Sequence, residues 1–231
     1  MREIVLDTET TGFEPSEGDR IVEIGAVELF NHLPTGRTYH QYINPKRNMP
    51  EAAFNVHGLS EEFLSDKPVF KDIAQKFTAF IKDSKLVIHN ASFDMKFLNA
   101  ELGWVNRPAL PMHQAIDTLA IARRKFPGSP ASLDALCRRF GIDNSSRTLH
   151  GALLDSEILA EVYLELVGGR QPDLVLSGSE VKTTKDGSPS VDWRPAPRPK
   201  PLASRLSETE KAAHKTFIAA LGSDALWLKE T

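Results

Sequence analysis

Cysteine is almost absent from this 231-residue chain: Cys137 stands alone, so no internal disulfide can form and no cysteine-based zinc cluster can be assembled. Long apolar runs are missing as well. No stretch approaches the ~20 apolar residues that a bilayer-spanning helix requires, and the N-terminus has no basic region followed by an apolar export segment. The expectation is a soluble, cytoplasmic protein with no membrane partner. Strong charge of either sign is also lacking, the formal net charge being -3. The balance is uneven, since residues 177 to 231 carry nine Lys or Arg against seven Asp or Glu, which leaves -5 for residues 1 to 176. An acidic domain is poorly suited to nonspecific duplex binding, which needs many Lys and Arg side chains on phosphates. Cations held by carboxylates can supply positive charge locally instead.

What is present reads as one α/β domain over residues 1 to 168. Residues 3 to 7, 21 to 29 and 38 to 43 are short, β-branched or aromatic, and separated by Gly, Pro and Asn, which predicts three strands in an antiparallel meander. The pattern then changes. Val69, Ile73, Phe77, Phe80 and Ile81 fall at helical spacing, the short run KLVIHN follows, and SFDMKFLNAELG reads as a helix opened by Ser92. QAID is a short strand candidate, SLDALCRRFG a helix ended by Gly141, and HGALLDSEILAEVYLELVGG a longer helix ended by Gly168. Alternation of helix and strand after a meander implies a mixed sheet.

The first strand ends in LDTET, with Asp7 and Glu9 one residue apart. Positions i and i+2 of a strand share a face, so the two carboxylates stand side by side, ~7 Å apart by Cα. They repel unless a cation lies between them. VIHNASFD places Asp94 just inside a helix that follows a strand, and HGALLDSE places Asp155 on the last helix of the domain. Four carboxylates around one cleft offer the hard oxygen ligands that suit Mg²⁺ or Mn²⁺. Two such ions ~4 Å apart clamp a phosphodiester, activate a water and stabilise the departing oxygen. His150 is the candidate base, because an ordinary imidazole titrates near ~6.5. Five residues separate it from Asp155, about 140° around a helix at ~100° per residue, so His150 is expected on the loop or first turn, reaching over the site. His32, His40 and His214 read as surface residues, and His89 as packed or hydrogen-bonded.

DTETTG at residues 7 to 12, HNASFD at 89 to 94 and HGALLD at 150 to 155 resemble, in this order and spacing, the three exonuclease motifs of the DEDDh family. The resemblance implies a ribonuclease H-like fold, an α/β architecture with a mixed five-stranded sheet flanked by helices and followed by a flexible C-terminal tail. It implies two divalent cations and release of nucleoside monophosphates from a single-stranded DNA 3′ end. Asp7, Glu9, Asp94 and Asp155 become metal ligands and His150 the general base. Thr10 would contact the terminal nucleotide, Phe13 would match the apolar wedge between the last two bases, and His57 and Phe93 would face the substrate. Base stacking on such a wedge tolerates any sequence.

Within the family the resemblance is to proofreading subunits of bacterial DNA polymerase III. After the domain, QPDLVL is similar to a sliding-clamp-binding peptide through Gln171, Leu174 and Leu176. Six of the fifteen prolines lie between 171 and 204, so residues 169 to 204 are expected to form a clamp-binding peptide and a flexible linker. Ser207 and Glu210 have capping-box spacing, and Ala213, Phe217 and Leu221 share a helical face before Gly222. Residues 205 to 231 are therefore expected to dock on the polymerase (alpha) subunit. Three other readings remain: an RNA-trimming DEDDh exoribonuclease, a haloacid-dehalogenase-type phosphatase and a non-catalytic tether between polymerase and clamp. The phosphatase is disfavoured by Glu9 in place of the second Asp of its motif. The clamp-like peptide and long tether favour DNA over RNA.

Overall fold

The computed structural model describes residues 1–145, 149–169 and 206–222. The chain divides into two compact units, Met1–Leu174 and Val175–Thr231. In the first, strands β1 (Arg2–Thr10), β2 (Ile21–Phe30) and β3 (Leu33–Tyr42) form an antiparallel meander. Strands β4 (Lys85–Ile88) and β5 (Ala115–Asp117) join it in parallel, giving a five-stranded mixed sheet in the order β3-β2-β1-β4-β5. Parallel pairing needs crossovers, which helices α3 (Phe70–Ile81) and α4 (Ala91–Trp104) supply. Two short helices, α1 (Glu51–His57) and α2 (Glu61–Leu64), precede α3, while α5 (Thr118–Lys125), α6 (Leu133–Phe140) and α7 (Ala152–Leu166) follow β5.

Both faces of the sheet are covered. Ile4 and Leu6 point to one side, where they pack with Ile24 and Ala26 against Phe77 of α3 and Met95 and Leu98 of α4. Val5 points to the other, where it packs with Val27 and Leu29 against Leu136 of α6 and Leu159 and Val162 of α7. A strand buried on both faces reads as a continuous apolar run, as IVL does here. Its alternation decides where the polar residues after the run are aimed: Asp7 and Glu9 continue the Val5 face toward α7, and Thr8 continues the Leu6 face toward α4.

Several elements differ from expectation. The first strand extends to Thr10 because β2 pairs with it as far as Glu9 and, after a register shift, Thr10. Helix α4 starts at Ala91 with Asn90 as its cap rather than at Ser92. Asn90 takes a left-handed conformation (φ 66°), which Asn tolerates, and its N–H donates to Asp117 Oδ1 at 3.2 Å. Helix α5 is an element that the sequence did not suggest. Its cap is Asp117, whose carboxylate accepts from the Leu119 and Ala120 N–H groups, and cations fill its last turn. His32 and His40, expected as plain surface residues, meet buried carboxylates: His32 lies 2.8 Å from Glu3, and His40 2.6 Å from Glu23.

In the second unit, α8 (Glu208–Ala220) opens on the capping box of Ser207 and Glu210. It buries no residue, and Phe217 and Leu221 are exposed. Gln171, Leu174 and Leu176 lie outside the described residues, as do most of the linker and residues 223 to 231.

Candidate active site

The C-terminal end of β1 is the floor of a cleft of about 670 Å³ lined by Asp7, Glu9, Asp94, His150 and Asp155. Three elements converge to make it. Strand alternation turns Asp7 and Glu9 toward α7, the turn at Asn90 starts α4 so that Asp94 falls in its first helical turn, and α7 carries Asp155 in its own first turn. His150 precedes the α7 cap, Gly151, and its backbone N–H donates to the Val56 carbonyl at 3.1 Å. That bond ties the loop before α7 to the end of α1.

Glycine at position 25 permits the close approach that brings α7 in. Gly25 pairs with Asp7 across β1 and β2. A Cβ built on it would lie 2.1 Å from the Ala152 carbonyl carbon and 2.2 Å from the Leu153 nitrogen, so the first turn of α7 rests directly on the sheet. Ser156 Oγ then donates to the Gly25 carbonyl at 3.0 Å.

The acids are not equivalent. Asp94 is buried, and burial pushes its carboxyl up to about 7, opposed by Thr8 Oγ1, which donates to its Oδ1 at 2.7 Å. Donor atoms of Glu9, His150 and Asp155 lie within 4.8 Å of one another and can hold a metal ion. His150 Nδ1 stands 3.3 Å from Asp155 Oδ2, and its ring is about half exposed, at 47%. His89 also lines the cleft but is packed: its Nδ1 lies 3.0 Å from Thr118 Oγ1. Burial first, then Arg123 nearby, hold its imidazole below the usual histidine range.

A second cleft of about 440 Å³ adjoins the first, sharing Thr8, Glu9 and Phe93. Thr10, Phe13 and His57 line it. Phe13 is 80% exposed, which excludes an ordinary core role, and meets Phe93 edge-on at 6.4 Å between centroids. Its loop is braced from below. Asp19 accepts from Thr11 Oγ1, the Glu14 N–H and Arg47, while Lys96 Nζ donates to the Phe13 carbonyl at 2.8 Å. Thr10 Oγ1 donates to the Gly12 carbonyl, so its proton is engaged within the chain. His57 is buried, and its Nδ1 accepts from the Leu59 N–H at 3.0 Å. The proton therefore sits on Nε2, which makes no well-aligned hydrogen bond among the described residues although the Thr10 carbonyl is near. Burial is the main cause holding this imidazole below the usual histidine range.

Two parts of the site lay beyond sequence reasoning: α1, whose Ala53 and Val56 wall the second cleft, and Arg123 in the first. PEAAFNVHG carried a usable signal for α1, a helix stop at Gly58, which adopts a positive φ of 72°.

A family model described as an exonuclease matches residues 4–163, which include Asp7, Glu9, Asp94, His150 and Asp155. The chain belongs to this exonuclease family. Its relatives include the DNA polymerase III subunit epsilon of Rickettsia felis, 50% identical over 224 residues, covering 96% of this chain and 97% of the relative. The subunit of the same name from Escherichia coli K12 is 42% identical over 236 residues, with 98% and 97% covered. Among solved structures, exonuclease X in complex with 5′ overhanging duplex DNA is similar with a TM-score of 0.56 and 26% identity, covering 71% of this chain and 90% of that one. The match runs through the unit that holds both clefts. As a member of the family, this exonuclease is a nuclease with a ribonuclease H-like mixed sheet. Among its described residues no helix is long and apolar enough to cross a membrane.

Proposed function

We propose that this chain removes nucleoside monophosphates from DNA 3′ ends by phosphodiester hydrolysis, as the proofreading partner of a replicative polymerase. The observation that carries the reading is the meeting of Asp7, Glu9, Asp94, Asp155 and His150 in one cleft at the end of β1. The donor set fits divalent cations: carboxylates from three elements, with Asp94 destabilised as an anion by its burial, which a bound cation would offset. Two ions, Mg²⁺ or Mn²⁺, held by the four acids would neutralise the phosphate oxygens and lower the pKa of the attacking water.

The chain's own residues supply the rest. His150 stands with its Nδ1 3.3 Å from Asp155 Oδ2 and its ring about half exposed beside the acids, a position that suits it to take the attacking water's proton. Phe13, fixed by Lys96 and the Asp19 network, presents an apolar face that fits between the last two bases. Phe93 forms the wall shared by the two clefts. His57 backs the cleft that would take the terminal nucleotide, its Nε2–H buried toward the Thr10 carbonyl, and Thr10, its hydroxyl engaged, offers backbone there.

The same reading assigns residues 1 to 168 to catalysis, 169 to 204 to a linker with the clamp-binding residues Gln171, Leu174 and Leu176, and 205 to 231 to the polymerase (alpha) subunit. It places the enzyme in the cytoplasm. Exposed Phe217 and Leu221 on α8 support the last assignment, since a single helix buries too little to hold an apolar stripe without a partner. Digestion of a 3′-labelled mismatched primer, with and without Mg²⁺, tests the proposal. Metal-dependent release of mononucleotides is the expected result, and digestion that persists in chelator contradicts it.

A further inference from the structure

In a domain whose net charge is negative, one surface is strongly positive. Arg123, Arg124 and Lys125 occupy the last turn of α5, and Arg138 and Arg139 the last turn of α6. All five are exposed. The two helix ends touch: the Phe126 and Phe140 rings meet edge-on with centroids 5.9 Å apart, and the Arg139 guanidinium lies 4.3 Å above the Phe126 ring. Stacking there holds the guanidinium in place while leaving its N–H edge available to an acceptor. Between the cations α6 contributes one acid, Asp134, which accepts from Asn144 at 2.9 Å.

Cations at a helix C-terminus offset its dipole, and that alone accounts for a residue or two. It does not account for their position beside the catalytic cleft. Arg123 lines that cleft together with Asp7 and Asp155, and Pro130 lines both the cleft and an adjoining depression whose other walls are Ala135, Arg138 and Arg139. A continuous path leads from the carboxylates past Arg123 and Pro130 to the paired arginines.

We infer that this path binds the sugar-phosphate backbone of the strand on the 5′ side of the scissile bond. The inference rests on the exonuclease reading and extends it, because the carboxylate site repels the polyanion it must cleave. Cations placed along the exit route offset that repulsion without reading sequence.

The test uses full-length Arg138→Gln/Arg139→Gln protein, in which the side-chain stem over Phe126 is largely kept. Binding of a fluorescent 12-nucleotide single strand is followed by anisotropy in chelator over a range of salt, and kcat is measured separately with Mg²⁺. The expected result is a dissociation constant raised about tenfold and a slope of log Kd against log salt reduced by about 1.4, at ~0.7 for each single-strand phosphate no longer neutralised. kcat at saturating strand should stay at the wild-type value. Unchanged Kd and slope overturn the inference, as does unchanged strand binding with loss of affinity for the polymerase partner, which would make the patch a protein-docking surface. Failure of the wild type itself to digest the strand would count against the exonuclease reading; a wild type that digests beside a variant that binds equally well sinks only this inference.

Discussion

Replacing Gly25 with alanine perturbs the site without touching a chemical group in it. The added Cβ would lie 2.1 to 2.3 Å from backbone atoms of Ala152 and Leu153. Helix backbone cannot swing aside as a side-chain tip can, so the N-terminus of α7 must retreat by about 1.3 Å to reach ordinary van der Waals separation at 3.4 Å. The Ser156 hydrogen bond to the Gly25 carbonyl, now 3.0 Å, is then broken. Overpacking of this kind costs about 1 to 3 kcal/mol, and the hydrogen bond about 1 kcal/mol more. The functional cost is larger, because His150 and Asp155 ride on the displaced segment while Glu9 stays on β1. A misplacement of about 1 Å costs on the order of 10²-fold in rate. Steady-state digestion of a short single strand should show kcat falling by about that factor with KM changing less, since the Phe13 loop is braced by Asp19 and Lys96 and not by α7. Gly103→Ala serves as control: it lies inside α4, a Cβ there meets nothing within 4 Å, and better helix propensity should stabilise it by up to about 1 kcal/mol. A folded Gly25→Ala enzyme within twofold of wild-type kcat would refute the claim that this glycine sets the seat of α7.

In chelator, the Asp94 carboxyl titrates at about 7 when folded against an ordinary 3.8. The unfolded chain thus gives up its proton first, and metal-free stability falls as pH rises from about 4 to 7. Asp94→Asn should therefore melt higher than wild type at pH 8, by up to a few kcal/mol, with the gap closing near pH 4; equal gaps at both pH values would contradict this. Tyr163→Phe removes the donor to buried Glu3 Oε1, now 2.8 Å away, and should cost about 1 to 3 kcal/mol in denaturant unfolding with digestion rate intact. Alanine at Gln171, Leu174 and Leu176 should weaken binding to purified sliding clamp while leaving hydrolysis of free strands unchanged, and deletion of residues 177 to 231 should abolish co-purification with the polymerase subunit at unchanged melting temperature.

How legible each feature is in the sequence depends on how local its cause is. The common face of Asp7 and Glu9 follows from strand alternation alone, and caps within a few residues, Ser132 and Gly141 around α6 or Ser207 and Glu210 at α8, are visible in the letters themselves. Helices α1 and α2 span seven and four residues, too short for a period of 3.6 to register. Ser92 is a common cap residue and draws the expected start of α4 to itself, whereas the turn needs a left-handed Asn90 tied to Asp117, 27 residues away. Burial of Glu3 and Glu23, and with it the partners of His32 and His40, depends on neighbouring strands and α7. The role of Gly25 exists only in three dimensions, where α7 meets the sheet.

The most direct test of the central claim is a single-turnover digestion of a 3′-labelled mismatched primer at saturating Mg²⁺ and at saturating Mn²⁺. Wild type is compared with Asp7→Ala, Glu9→Ala, Asp94→Ala and Asp155→Ala, each checked for an intact fold by its melting curve. If the four carboxylates act together in holding the catalytic cations, every variant loses nearly all activity with either metal. A folded variant that releases the terminal nucleotide at the wild-type rate would contradict the account.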